Sequence, residues 1–255
     1  MESQISSINR ALEILCLFDS NYPELLSAQE ISKLLKVPLS STYKYLNILI
    51  EKQFLRKEAG DKKYRLGLMV YKLSRRFIHE MGFLDVARSY MKSLSDFSGE
   101  TVFISVVDGW NGLIIEKAEP SKPVKLSVER GSILPLHAGA AQKVLLAYQK
   151  DSFLDAYIKT NGLTKMMPNT ITDPDELRKE LETIKEQGFA YSDSEVESWA
   201  MAIAAPVFDH EKRILAGLTI AVPSHQERKE NLQELIGWVK DCSLKISREL
   251  GYKNE

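Results

Sequence analysis

The stretch "PLHAGAAQKVLLA", residues 135–147, sets His137 and a run of small residues directly before a segment that reads as a helix. Three chemistries fit that pattern. A histidine can serve as a general base. Unpaired N–H groups at a helix start attract anions, and small side chains let a ligand reach them. Small residues also let two elements pack closely. A hydrolase would combine His137 with Ser192 or Ser132 and an acid such as Asp193, but no GxSxG elbow accompanies them. The catalytic set is therefore read as empty. The four histidines, His79, His137, His210 and His225, show no HExxH or other ligand spacing, so neither a metal nor a cofactor is expected. Cys16 and Cys242 each fall among apolar residues at helical spacing and read as core thiols; a zinc site or a disulfide framework needs more cysteines.

A second group of candidates lies near the start of the chain. In "LSSTYKYLNILIEKQFL", Ser40 or Ser41 can cap a helix whose first two turns carry Ser40, Ser41, Thr42, Tyr43, Lys44 and Tyr45. Hydroxyls, a cation and aromatic edges suit phosphates and base edges. Directly after it, "RKEAGDKKYRLG" reads as two extended arms, 55–58 and 63–66, around a Gly60-Asp61 turn. Arg56, Lys62, Lys63 and Arg65 on these arms can neutralise phosphates beside a groove.

The elements that would hold these residues follow from periodicity. Ile8, Leu12, Leu15 and Phe18 give one face of a first helix capped by Ser6 or Ser7. Ser27 with Glu30 forms a capping box for a short second helix with Ile31, Leu34 and Leu35 as its face, ended by Val37 and Pro38. Leu46, Leu49 and Ile50 are the buried side of the third. Two helices joined by so tight a turn, followed by a basic hairpin, make a winged helix-turn-helix, whose second helix enters the major groove. Met69, Val70, Leu73 and Phe77 mark a connecting helix with Arg75 and Arg76 opposite; a partner chain is one place to bury such a stripe.

Farther on, "FLDVARSYMKSLSDFSG" reads as a helix, and "TVFISVVD", "GLIIEKAE" and "PVKLSV" as strands. Helices are expected near 151–159 and 174–187, the latter opened by Pro174 and closed by Gly188. "MAIAAPVFDHEKRILAGLTIAVP" reads as a strand hairpin. Leu232, Leu235, Ile236, Val239, Cys242, Ile246 and Leu250 form one face of a closing helix. The mixture predicts an α+β protein with an antiparallel sheet flanked by helices. The expected boundaries are 1–67 for the winged helix-turn-helix, 68–81 for the linker helix and 82–255 for the remainder.

Composition agrees with two functions in one chain. The 255 residues carry a net charge of −1, but residues 1–80 hold 13 Lys/Arg against 9 Asp/Glu and the remainder 21 against 26. A basic module joined to an acidic one points to nucleic acid on one side only. No apolar run approaches a membrane span, and the N-terminal "MESQISSINR" is not a secretion segment, so the expected location is the cytoplasm.

In this order the stretches "SINRALEIL", "SSTYKYLNIL", "GSILPLHAGAAQKVLLA", "GFAYSDSEVES" and "AIAAPVFDHEKRILAGLTIAVP" resemble the isocitrate lyase regulator (IclR) family of bacterial transcription factors over nearly the whole chain. The resemblance implies a winged helix-turn-helix followed by a GAF-like effector-binding domain. It implies homodimers or dimers of dimers on palindromic double-stranded operators, and control by a small organic acid. Arg10 and Ser27 complete the expected DNA-binding set. The implied effector site has N–H groups at Gly139, Ala140 and Ala141, with Ser192, Ala202, Thr219 and Ala221 from later strands; Leu126, Leu134 and Asp193 complete it. Family members often carry acidic, thiol and hydroxyl groups where this chain has Ser192, Ala202, Thr219 and Ala221. With only two polar side chains there, the expected effector is more apolar than glyoxylate or pyruvate, since each unpartnered polar group costs about 1–3 kcal/mol. Trp199 stands where the family usually has glycine, and Lys44 where many relatives have arginine; lysine lacks the bidentate fork for guanine. A C-terminal domain that only oligomerises remains the alternative.

Overall fold

The computed structural model describes residues 2–20, 25–58, 60, 62–122, 125–224 and 231–253, and of 2–6, 20 and 78–80 the backbone only. Asp61, Pro123, Val124 and His225, and the side chains of Ser6 and His79, lie outside that description. The chain divides into two compact units, Met1–Met81 and Gly82–Glu255.

The first unit runs α1 (Glu2–Ser20), β1 (Leu26–Ser27), α2 (Ala28–Leu35), α3 (Leu39–Glu51), β2 (Leu55–Lys57), β3 (Lys63–Leu66) and α4 (Leu68–Glu80). Ser27 caps α2 in a complete capping box with Glu30, and that bond holds the Glu30 carboxyl below its ordinary range. Lys36 closes α2 at φ 52°, and only Val37 and Pro38 separate it from α3. The hairpin is antiparallel, with Arg56 opposite Arg65, and β1 adds a third strand beside β3 that the sequence did not announce. Ile14, Phe18, Ile31, Leu46, Leu49, Leu55 and Tyr64 form the core.

Five expectations are corrected here. Helix α1 begins at Glu2, so Ser6 and Ser7 lie inside it and do not cap it. Its inward face is Ile14 and Phe18 with Ala11 and Leu15, while Ile8 and Leu12 are exposed, as is Leu34 on α2. Spacing of three and four fits more than one stripe of a helix, and the partner elements choose between them. Helix α3 is capped by Pro38 rather than by Ser40 or Ser41, because the Pro38 carbonyl already takes the N–H groups of Ser41 and Thr42. Cys16 is exposed; only Cys242 is a core thiol, its pKa pushed up to about 12 by burial.

The second unit holds α5 (Phe83–Ser98), β4 (Thr101–Asp108), β5 (Asn111–Ala118), β6 (Ile133–Pro135), α6 (Ala140–Ala147), α7 (Asp151–Asn161), α8 (Pro174–Gln187), β7 (Ala190–Asp193), β8 (Ala200–Phe208), β9 (Ile214–Pro223) and α9 (Leu232–Glu249). Its sheet is antiparallel in the order β6-β5-β4-β9-β8-β7. Helix α6 covers one face, with Ala141 against Phe103, Ile114 and Ala221; α5 and α9 pack on the sheet as well, α9 tied to β8 by Ser243 Oγ donating to the Pro206 carbonyl at 3.0 Å. The two α8 signals hold: Pro174 opens the helix and Gly188 closes it at φ 74°; the structure adds Asp173 as the cap.

One strand was misplaced. Residues 125–129 make no ladder; the edge position beside β5 belongs to β6, whose Leu134 pairs with Gly112. The alternating Leu126 and Val128 instead pack onto the cluster around Phe103, and Thr101 Oγ1 donates to the Leu126 carbonyl at 2.7 Å. Alternation marks a segment with one buried side, whether or not its backbone joins a sheet.

Candidate functional site

In the first unit, α3 offers Ser40, Tyr43 and Lys44 to solvent, with Ser41 half-buried. Thr42 faces the other way: it is buried, and its hydroxyl donates back to the Pro38 carbonyl at 3.2 Å. Tyr45 packs against the core. On the hairpin Arg56 and Lys62 are exposed, Lys63 and Arg65 half-buried, and Arg65 pairs with Glu58. That ion pair relieves the like charge that Arg56 sets opposite Arg65. Arg10 on α1 pairs with Glu13 at 2.7 Å, and Ser27 is engaged as the α2 cap. An exposed helix start followed by a cationic hairpin offers a surface for a polyanion.

The second unit contains a cavity of about 390 Å³ beside the N-terminus of α6. Of the ten expected effector residues, Leu126, Leu134, Gly139, Ala140, Ala141, Ser192, Ala202 and Ala221 line it. Asp193 and Thr219 do not: Asp193 accepts from Ser224 Oγ at 2.7 Å, and the Thr219 hydroxyl is buried in the sheet without a partner. Phe103, Ile114, Val128 and Met201 make most of the remaining wall apolar, with Glu129 and Glu197 also on the lining.

The anion cradle is partly filled from within. Gly139, at φ 87° and ψ 153°, a conformation reserved almost entirely for glycine, donates its N–H to Glu195 Oε2 at 3.0 Å. The Ala140 N–H goes to Ser192 Oγ at 3.1 Å. Lys143, 1% exposed, holds Glu195 Oε1 at 2.6 Å, Glu180 Oε1 at 2.8 Å and the Tyr191 carbonyl at 2.9 Å. Charge inside a protein must be paired, and this cluster pairs it. Sequence reasoning missed Lys143 and Glu195. The available signal was a lysine in "AAQKVLLA", a helix apolar all round and buried at every position, where a cation demands a buried acid.

His137 is fully buried and structural. Its Nε2–H donates to the Thr164 carbonyl at 2.9 Å, which leaves Nδ1 to accept from Tyr157 Oη at 2.6 Å. Burial lowers its pKa, keeping it neutral. Neither Ser132 nor Ser192 touches it, so no nucleophile–base pair exists there. Among the described residues, no group of three or more His, Cys, Asp or Glu could hold a metal, and no helix is long and apolar enough to cross a membrane.

Fold and sites together define a two-unit protein with a winged helix-turn-helix in one unit and a ligand-sized cavity in the other, the build of a ligand-responsive transcription factor. Family models place it further: the IclR helix-turn-helix domain matches residues 7–59 and the bacterial transcriptional regulator IclR C-terminal domain matches 75–248, so the chain belongs to the IclR family. It is similar to the HTH-type transcriptional regulator XynR of Escherichia coli, with 32% identity over 97% of this chain and 98% of that one. It is 30% identical to the HTH-type transcriptional repressor AllR of the same species, over 89% and 84% of the two chains. In fold it matches the crystal structure of an IclR homologue from Microbacterium hydrocarbonoxydans complexed with 4-hydroxybenzoate, at a TM-score of 0.84, 21% identity, and 96% and 98% coverage. The family and these relatives are transcriptional regulators, and the chain is not an enzyme.

Proposed function

We propose that this regulator is a cytoplasmic repressor whose affinity for a palindromic operator is set by a small organic acid with an apolar body, bound in the cavity beside α6. The observation that carries the reading is that cavity: about 390 Å³, of drug-like pocket size, with a helix N-terminus at one side and mostly apolar walls. Ala202 and Ala221 bring no side-chain partner from β8 and β9 for the hydroxyls of a small hydroxy acid. AllR, a repressor, supports the direction of control, and 4-hydroxybenzoate in the Microbacterium relative is an acid on an aromatic ring that carries one hydroxyl. The exposed α3 start and the cationic hairpin are assigned to the operator, in a homodimer or a dimer of dimers; exposed Ile8 and Leu12 on α1 and Leu68, Leu73 and Phe77 on α4 offer apolar surface for pairing.

A thermal-shift screen of organic acids, followed by gel-shift titration of operator DNA with each hit, tests this. Aromatic and longer aliphatic acids are expected to stabilise the protein and release it from the operator. An effector must bind the two states unequally to shift them. Stabilisation by only the smallest hydroxy- and keto-acids would sink the apolar-effector reading. Hits that leave operator affinity untouched would favour a C-terminal unit that only oligomerises.

A further inference from the structure

The α6 N-terminus is saturated at one end and bare at the other. Gly139 and Ala140 have Glu195 and Ser192 as acceptors, and both Glu195 oxygens are engaged, one by the Gly139 N–H and one by Lys143. The next two N–H groups, of Ala141 and Gln142, find no acceptor among the described residues. The Gln142 side chain repeats the pattern: it is 2% exposed, lines the cavity, and its Nε2 has no partner.

Its position is built rather than incidental. A Cβ at Gly112 would lie 2.9 Å from Gln142 Cγ and 3.3 Å from Nε2, and one at Gly139 would lie 3.1 Å from Oε1. Two glycines on different elements therefore leave the slot that the amide fills. A buried donor without an acceptor is costly, and three belong to the first turn of α6, where the helix dipole favours negative charge. Oxygen of an anionic ligand satisfies all three.

We infer that Gln142 is a specificity-determining residue of the effector cavity, its side-chain amide donating to a carboxylate oxygen of the bound acid beside the N–H groups of Ala141 and Gln142. The inference rests on the effector reading above. It moves the acid from the Gly139–Ala140 end, which the protein's own Glu195 and Ser192 fill, to the Ala141–Gln142 end. It also makes the affinity for the acid depend in part on one side chain.

The test uses the full chain, with benzoate, phenylacetate and 3-phenylpropionate as probes, each beside its methyl ester, by isothermal titration and thermal melting. The wild type is expected to bind at least one acid and to reject the ester. Gln142→Met keeps length and shape without the donor; it should weaken that acid about ten- to hundredfold, the worth of a hydrogen bond to a charged group. Its melting temperature without ligand should stay level or rise, because an unpaired buried amide is gone. Gln142→Glu, which sets carboxylate against carboxylate, should abolish binding of the acid. If Gln142→Met leaves the affinity unchanged, or lowers the ligand-free melting temperature without touching affinity, the assignment is overturned while the effector reading stands. If no acid binds the wild type, both fall.

Discussion

Two helix starts in this molecule carry the same backbone donors in opposite settings. Helix α3 opens at Pro38 in solvent, with Ser40, Tyr43 and Lys44 around it. Helix α6 opens at Gly139 inside the protein, with every residue buried and an acid, Glu195, already against its first N–H. In water the donors are solvated and screened, so specificity there must come from side chains and binding from many phosphates, with strong salt dependence. Under the sheet each donor must be met by one particular acceptor, and a small ligand can supply what the protein withholds. The difference is environment, since both starts offer N–H groups and the positive end of a helix.

The sharpest way to break the contrast is Lys143→Met. It leaves Glu195 as a buried carboxylate without its cation and should destabilise the second unit by about 3–5 kcal/mol. Chemical denaturation reads this directly. Pairing the change with Glu195→Gln should recover much of the loss, because a neutral amide no longer needs the cation. A Lys143→Met protein as stable as the wild type would show that the α6 environment is not dry.

A smaller effect is expected at the exposed start. Lys44→Ala should weaken operator binding and reduce the slope of log affinity against log salt by about one, the signature of one lost phosphate contact. Lys62→Ala on the hairpin should behave alike. Gel-shift titrations at several salt concentrations measure the slope, and an unchanged slope would remove these residues from the interface. No comparable salt dependence is expected for acid binding at α6.

The same contrast explains what was legible in the sequence. Some signals are local: Ser27 with Glu30, Pro174, and Gly188 in the left-handed region act within a few residues, and each is where the pattern put it. The cavity lining was reached through the family resemblance: eight of the ten residues it implied lie on the cavity wall, and residue types alone did not mark them. What resisted was decided by partners distant in the chain. Ile8 and Leu12 lost to Ile14 because α2 and α3 select the face of α1. Lys143 meets Glu180 and Glu195, 37 and 52 residues away, and nothing local in "SDSEVES" marks its glutamate. Gln142 was passed over for a related reason: a glutamine in a helix is ordinary until its burial and missing partner are seen.

The smallest expected effect belongs to Trp199, between β7 and β8 on the connection that also carries Glu195. It sits at φ 66°, in the left-handed region where an L-residue with a large side chain is strained and glycine is not. That conformation suits glycine better than tryptophan. The indole is 77% exposed and absent from the cavity lining, so it neither fills the pocket nor contributes much burial. Trp199→Gly removes the strain, worth about 1 kcal/mol, but gives the unfolded chain more freedom, worth slightly less. The two nearly cancel, and stability should change by less than about 1 kcal/mol by denaturation. Acid affinity should be unchanged, since the donors at Ala141 and Gln142 are untouched. A large loss of affinity in Trp199→Gly would show that the connection closes over the bound acid and that the indole takes part, extending the α6 environment to a residue that now faces solvent.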